Sequence, residues 1–163
     1  MSGPTGTNVT KITQADVRLN LDLRVTASAQ TRAFAAYVRA HAKSVIAGHP
    51  VSGLASSTSG AQLKRQRAVI KYTREKGYVV PPDPKVRVVT AHPQGNGRAL
   101  LGACLWLPST EYVDSSTGES VGGAVPQQWA KAVATLKKSE MTWVVDKVLP
   151  AKEDTKMNCG GKS

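Results

Sequence analysis

The two cysteines of this 163-residue chain are the residues whose chemistry is easiest to specify. Cys104 lies inside an apolar run and Cys159 is the fifth residue from the end. A disulfide between them would join a late strand to the C-terminus and would require an oxidising compartment. The alternative is two free thiols, one buried and one on a mobile tail. Since His41, His49 and His92 are scattered, we predict no metal site, and we expect no cofactor.

Basic residues at helical spacing form the second candidate site. Intervals of three, four and three residues place four cations on one face of a helix: Lys64, Arg67, Lys71 and Arg74. A weaker stripe precedes it: Arg32, Arg39 and Lys43. Such a face can bind a row of phosphates or another anionic surface. The same pattern is also typical of the solvated face of an amphipathic helix. Few aromatic residues are interspersed with the cations, which disfavours base stacking on single-stranded nucleic acid.

The distribution of charge along the chain supports a binding role for these stripes. The formal net charge is +11, of which residues 1–50 contribute +4, residues 51–100 contribute +7 and residues 101–163 contribute nothing. Long-range attraction to anions is therefore expected from one side of the molecule, if the first hundred residues form a layer of their own. The simpler alternative is a basic protein without an anionic partner.

The first half of the chain predicts one strand and two helices. Apolar and polar residues alternate from Val17 to Val25, which is the period of a strand with one buried face. From Ser28, a potential N-cap, the apolar period becomes helical and ends near Gly48. A serine- and glycine-rich stretch over residues 52–60 separates this helix from a second one, over residues 61–76, closed by Gly77.

Beyond residue 85 the sequence pattern is that of β-structure. Five segments are predicted as strands, separated by turn-forming residues: 86–91, 98–107, 111–114, 129–138 and 141–149. Helices followed by strands favour an α+β fold over a parallel βαβ fold. We therefore predict helices packed on a strongly curved antiparallel sheet, with an extra N-terminal strand.

Several features of the second half resemble one known superfamily. They are a strand ending in Ala103 and Cys104, a Tyr-Val-Asp followed by a Thr-Gly turn over residues 112–118, a strand starting at Trp129, a turn leading to Trp143, and the final Cys159. In these residues the chain resembles the nuclear transport factor two-like (cystatin-like cone) superfamily, especially its secreted or membrane-tethered actinobacterial members. The resemblance implies a cone-shaped half-barrel over residues 28–159. The strand over residues 17–25 departs from the pattern, because such domains usually open with the helix.

This resemblance also implies where a ligand would bind. The open end of the cone often holds one, and five aromatic residues would line such a pocket: Tyr37, Trp106, Tyr112, Trp129 and Trp143. Core packing is the commoner role of tryptophans in strands. Ketosteroid isomerase is the catalytic precedent in the superfamily. Candidates for that chemistry here would be Tyr37, Asp114, Tyr112 and Asp146, but none lies in a motif that assigns it a catalytic role, so we name no catalytic residue.

The expected organisation is a flexible tether over residues 1–16, one domain over residues 17–159 and a short tail over residues 160–163. No hydrophobic segment is long enough to span a membrane, and no signal peptide is recognisable at the start, although an anchor could precede this sequence. We expect a non-catalytic, extracytoplasmic binding or scaffolding module with an anionic partner such as lipid headgroups, a cell-wall polymer or an acidic protein. Self-association through the sheet or the segment 17–25 is a further expectation. The alternatives are a small-molecule binder or isomerase-like enzyme, and a nucleic-acid-binding protein of a mobile element.

Overall fold

Three helices pack on one face of a five-stranded sheet. The computed structural model describes residues 12–152 and 156–160. The helices are α1 (Ala29–Ala47), α2 (Ser52–Ser57) and α3 (Gly60–Lys76). The strands are β1 (Asn20–Leu23), β2 (Tyr78–Val79), β3 (Lys85–Gly95), β4 (Arg98–Trp106), β5 (Val113–Asp114), β6 (Trp129–Ser139) and β7 (Thr142–Pro150). The α+β class is confirmed.

Local capping explains where the two long helices begin and end. The Ser28 hydroxyl accepts a hydrogen bond from the Thr31 amide at 3.2 Å, which satisfies a free N–H group at the start of α1. Gly48 ends α1 in the left-handed conformation, with φ of 78°. Ser59 caps α3 in the same way, and Gly77 ends it with φ of 74°. Both helices were predicted, α1 from Ser28 and Gly48 and α3 from Gly77, whereas the Ser59 cap was not predicted.

The sheet has the strand order β1-β3-β4-β6-β7. The last four strands pair antiparallel, as predicted, whereas β1 adds to the edge in parallel with β3, pairing Asn20 with Lys85 and Leu23 with Val88. The segment 17–25 therefore pairs within its own domain, through a shorter strand than its alternating pattern suggested. Register shifts in β3 and between Thr135 and Leu136 of β6 bend the sheet, and its described strands form no closed barrel.

Two structural features were not anticipated. The serine- and glycine-rich stretch forms α2, followed by a bridge between Thr58 and Val145 on the free edge of β7. In addition, the segment 111–114 does not join the main sheet; its last two residues form β5, which pairs with β2 in a separate two-stranded sheet. Within the predicted tether, Gln14–Asp16 forms one 3₁₀ turn, and residues 1–11 lie outside the described part of the chain.

The two faces of the main sheet have different coverings. The inner face packs against the helices through a core that includes Phe34, Leu54, Val88, Leu101 and Leu136. The opposite, outer face is crossed by residues 156–160, which we call the C-terminal strap. Period-two alternation places the side chains of β4 on these faces in turn, so a single strand contributes to the core and to the strap contact.

The disulfide between Cys104 and Cys159 is present, with Cα atoms 5.9 Å apart, so this prediction is confirmed. It fastens the strap to β4 across the outer face. Cys104 is fully buried and Cys159 is 7% exposed. Met157, also buried, lies over Gly102 of the same strand.

Replacement of Gly102 by alanine is expected to reduce the free energy of unfolding by about 1–3 kcal/mol. A Cβ atom at this buried position would overlap the Thr90 hydroxyl and the Met157 sulfur, so the strap or β3 would have to shift. Gly122→Ala is the matched control, since a Cβ there meets no atom within 4 Å. Urea denaturation of both variants checks the prediction, and equal stabilities would contradict the close packing of the strap.

Candidate functional site

The basic face of α3 is defined here as Lys64, Arg67, Lys71 and Arg74. All four side chains are exposed, and the buried side of the helix is formed by Gln62, Gln66, Ile70 and Thr73. Among the described residues, none of the four forms an ion pair with a carboxylate. Within the described part of the chain, Arg74 is the one member of the row that forms a hydrogen bond, from Nη1 to the Gly48 carbonyl at 3.3 Å. The face is therefore a row of four unpaired cations; Glu75, which is exposed and lies four residues after Lys71, shares this side of the helix without forming an ion pair with any of them.

The weaker stripe on α1 does not extend this surface. Arg32 and Arg39 are exposed and Lys43 is half-buried. His41, on the other hand, points to α3, where it contacts Gln66. Arg32 and His41 are nine residues apart, about two and a half helical turns, so they lie on opposite sides of α1. The two predicted stripes consequently face different directions, and only the one on α3 carries four cations.

Buried polar side chains join α1 to α3 beneath the basic face. The Tyr37 hydroxyl oxygen accepts hydrogen bonds from Gln62 Nε2 at 3.0 Å and from Gln66 Nε2 at 2.9 Å. Gln66 Oε1 contacts His41 Nδ1. Arg65 Nε donates to Gln62 Oε1 at 2.8 Å, and Arg65 Nη2 donates to the Asp146 carbonyl of β7 at 2.6 Å. This network holds α1, α3 and β7 in one arrangement.

Burial changes the acidity of two groups in the network. Loss of hydration raises the pKa of Tyr37 to about 12, because the phenolate would be stranded between the helices. Loss of hydration likewise lowers the pKa of His41 from its ordinary value, partly offset by the hydrogen bond with Gln66. Tyr37 is thus a neutral phenol and His41 a neutral imidazole near pH 7.

A cavity of about 260 Å³ lies beside this network, between α1 and the inner face of the sheet. Most of its lining is apolar, and its polar side chains come from α1 and from the turn after β4. The lining residues are Phe34, Tyr37, Val38, His41, Ala42, Val80, Pro84, Val86, Leu105, Ser109, Thr110 and Val148. Of the five aromatic residues expected in a pocket, Tyr37 is the one that lines this cavity.

The other four expected pocket residues lie elsewhere. Trp106 and Trp129 pair on the outer face beside the strap, with ring centroids 5.1 Å apart. Trp143 lies under the start of α1, beside Arg32. Tyr112 packs against Tyr78, at 6.2 Å between centroids. The five aromatic residues therefore form no shared pocket: Trp106 and Trp129 lie on the opposite face of the sheet from Tyr37, whereas Tyr112 and Trp143 pack at other edges of the same core.

The carboxylates considered for catalysis are occupied in structural contacts. Asp114 Oδ1 accepts hydrogen bonds from the Ser116 and Thr117 amides, at 2.8 and 3.2 Å, in a turn. The Ser116 hydroxyl also donates to Asp114 Oδ1. This bond, followed by that of the Ser116 amide, lowers the pKa of Asp114. Asp146 lies 3.8 Å from the Lys137 ammonium group. Within the described ranges there is no group of three or more potential metal-ligating side chains.

The sequence-based predictions missed two residues, Arg87 and Tyr72. Arg87 of β3 donates to Asp22 at 2.7 Å and to the Cys159 carbonyl, and its guanidinium carbon lies 4.7 Å from the Trp129 ring centroid. It thereby connects β1, β6 and the strap. Tyr72, half-exposed on α3, makes an edge contact with Tyr78. No local signal marks Arg87, whereas Tyr72 stands out as an aromatic residue on the polar side of α3.

Comparison with known proteins places the chain in no established family. No protein-family model and no curated protein matches it. Among solved structures, the intermembrane space region of the chloroplast protein ARC6 aligns with 78% of this chain and 100% of that chain, at 16% identity and a TM-score of 0.49. In the part of the chain that the structure describes, no helix has the length and hydropathy of a membrane span.

Proposed function

We propose that this protein is a non-catalytic, extracytoplasmic binding or scaffolding module that uses the basic face of α3 to bind an anionic partner at the cell envelope. The observation that supports this proposal is the row of four exposed cations, none of which is paired with a carboxylate in the described part of the chain. Solvated faces of helices commonly mix both signs of charge, whereas α3 carries six basic residues and one acidic residue, Glu75.

The buried disulfide supports the proposed extracytoplasmic location. Disulfides persist in oxidising environments and are rare in the cytoplasm. The α+β architecture with helices on a bent sheet also agrees with membership of the nuclear transport factor two-like superfamily, which we retain as part of the proposal. Envelope-associated cones of that superfamily serve as assembly subunits, and this provides an analogy for the scaffolding role.

The geometry of the basic face favours an extended anionic surface. Residues 64 and 74 are separated by about 15 Å along the helix axis. The helix is capped at both ends and tied to α1 and β7, so the four cations are held in a row rather than on a mobile loop. Anionic lipid headgroups fit such a row, and each nearby basic residue contributes about 1 kcal/mol to binding at a membrane surface.

Vesicle binding tests the proposal. The protein is expected to sediment with vesicles that contain phosphatidylglycerol and not with vesicles of phosphatidylcholine alone, and its binding should weaken as salt is added. Duplex DNA and soluble polyglutamate serve as competitors. Absence of binding to the anionic vesicles would contradict a membrane partner. Tighter binding to DNA than to vesicles would instead favour the nucleic-acid-binding alternative.

A further inference from the structure

The two edges of the main sheet are finished differently. At the β7 edge, the link between α2 and α3 runs beside the strand: Thr58 bridges to Val145, and the Ser59 amide donates to the Val145 carbonyl at 2.9 Å. At the opposite edge, the described strands give β1 one neighbour, β3. The free side of such an edge strand presents a row of N–H and C=O groups that can pair with a further strand.

Alternation along β1 determines which backbone groups lie on its free side. The amides of Asn20 and Arg24 donate to carbonyl groups on the β3 side, both at 2.8 Å. The backbone groups of Leu19 and Leu21 consequently point away from β3. No hydrogen bond engages them within the described ranges of the chain. The Leu21 side chain is 36% exposed, so this edge also offers apolar surface.

We propose that the free edge of β1 pairs with the same edge of a second copy of this chain, in an antiparallel arrangement centred on Asn20. Leu19 of each copy then exchanges two backbone hydrogen bonds with Leu21 of the other, so the sheet continues across both copies. A two-fold axis relates the copies, and the contact closes on itself as a dimer rather than extending into a filament. This surface is separate from the basic face of α3 and does not depend on the function proposed for that face.

Charge complementarity selects this register. When Asn20 lies on the two-fold axis, Arg18 of each copy is opposite Asp22 of the other. When Leu21 lies on the axis, Arg18 is opposite Arg24, and when Asp22 lies on it, the two Asp22 carboxylates are opposite each other. Opposite charges in directly paired positions stabilise two strands, whereas like charges destabilise them. Of these three registers, the one centred on Asn20 forms ion pairs between the copies.

The groups that form these ion pairs are available at the edge. Asp22 Oδ2 accepts hydrogen bonds from Arg87 Nε at 2.7 Å and from Arg24 Nε at 3.0 Å, and its side chain remains 42% exposed. These bonds, that of Arg87 most of all, lower the pKa of Asp22, so the carboxylate is charged at neutral pH. Arg18 is exposed, and its Nη1 atom donates to two backbone carbonyl groups that precede it in the chain. Both charges therefore lie beside the free edge.

Single cysteines test the register. The two native cysteines are bonded to each other, so a new cysteine is the one free thiol of its chain. In the proposed dimer, the Cα atoms at position 20 of the two copies are about 4.5 Å apart, whereas those at position 21 are about 8 Å apart, beyond the reach of a disulfide. Under mild oxidation, Asn20→Cys is expected to form covalent dimers at least about tenfold faster than Leu21→Cys or Asp22→Cys.

Sedimentation velocity from low to high micromolar concentration tests the dimer itself. The wild-type protein is expected to shift from monomer to dimer over this range, as is typical of interfaces of small area. Leu21→Pro should stay monomeric, because it removes an N–H group on the free side and no bond to β3, a change that edge strands tolerate. Arg18→Glu should weaken the dimer about tenfold, whereas Arg98→Glu, an exposed site on β4 with the same change in net charge, should leave it unchanged.

The wild-type measurement decides the question even if a variant does not fold. A monomer at every concentration would overturn the proposal. A dimer that Leu21→Pro leaves intact, or cross-linking that is fastest at position 21 or 22, would equally overturn it. A protein that dimerises but does not bind anionic vesicles would support the dimer and count only against the function proposed for α3.

Discussion

Replacing Cys104 and Cys159 together with alanine is expected to lower the free energy of unfolding by about 4 kcal/mol. The bond closes a loop with a sequence separation of 55 residues, so its removal returns conformational entropy to the unfolded chain. The free energy of unfolding falls by this full amount only if the strap stays on the sheet in the variant. The contacts that should keep it there are the packing of Met157 on Gly102 and the hydrogen bond from Arg87 to the Cys159 carbonyl.

Urea denaturation of the double variant provides the measurement, and hydrogen exchange of the strap amides supplies the control. If the strap stays docked, its amides keep most of their protection while global stability falls. A loss below about 1 kcal/mol together with rapid exchange over residues 156–160 would show that the bond alone holds the strap. That result would contradict the packing described for the outer face.

Removing the charge of the basic face is expected to abolish most binding to anionic vesicles. Alanine at Lys64, Arg67, Lys71 and Arg74 deletes four surface cations. At about 1 kcal/mol for each, the affinity should fall by up to about a thousandfold. The fold should change little, because all four side chains are exposed and, among the residues that the structure describes, only Arg74 of the four forms a hydrogen bond.

A second variant with the same net charge as the first distinguishes binding through α3 from binding through the net charge of the protein. It carries alanine at four exposed cations outside the helices: Arg98, Lys131, Lys138 and Lys147. The expected loss is small, since these residues lie on the strands of the sheet. If both variants lost affinity to the same extent, binding would reflect net charge alone and the assignment to α3 would be incorrect.

Local sequence signals accounted for the elements that depend on neighbouring residues. The caps at Ser28 and Ser59 and the left-handed glycines at positions 48 and 77 are each defined within one helical turn, so the two long helices were predictable. The disulfide was predictable as one of two alternatives, because a chain with two cysteines allows only one pairing.

Pairings between residues that are distant in the sequence were harder to predict. Nothing within residues 17–25 indicates that β1 runs parallel to β3, since this depends on the path of the helices between them. Likewise, Tyr37 and Gln66 are 29 residues apart, and the glutamines on the buried side of α3 resemble ordinary polar positions until α1 packs beside them. A pairwise comparison of polar residues on the inner faces of both helices could have suggested this network.

Paramagnetic relaxation on membrane-bound protein tests whether the basic face of α3 contacts the membrane. With a gadolinium-chelating lipid in phosphatidylglycerol vesicles, amide signals over residues 64–74 should broaden most, and those of the strap over residues 156–160 should broaden least. This gradient is expected because the basic face of α3 contacts the headgroups, while the strap covers the opposite face of the sheet. Strongest broadening at the strap or along the exposed side of α1 would contradict it.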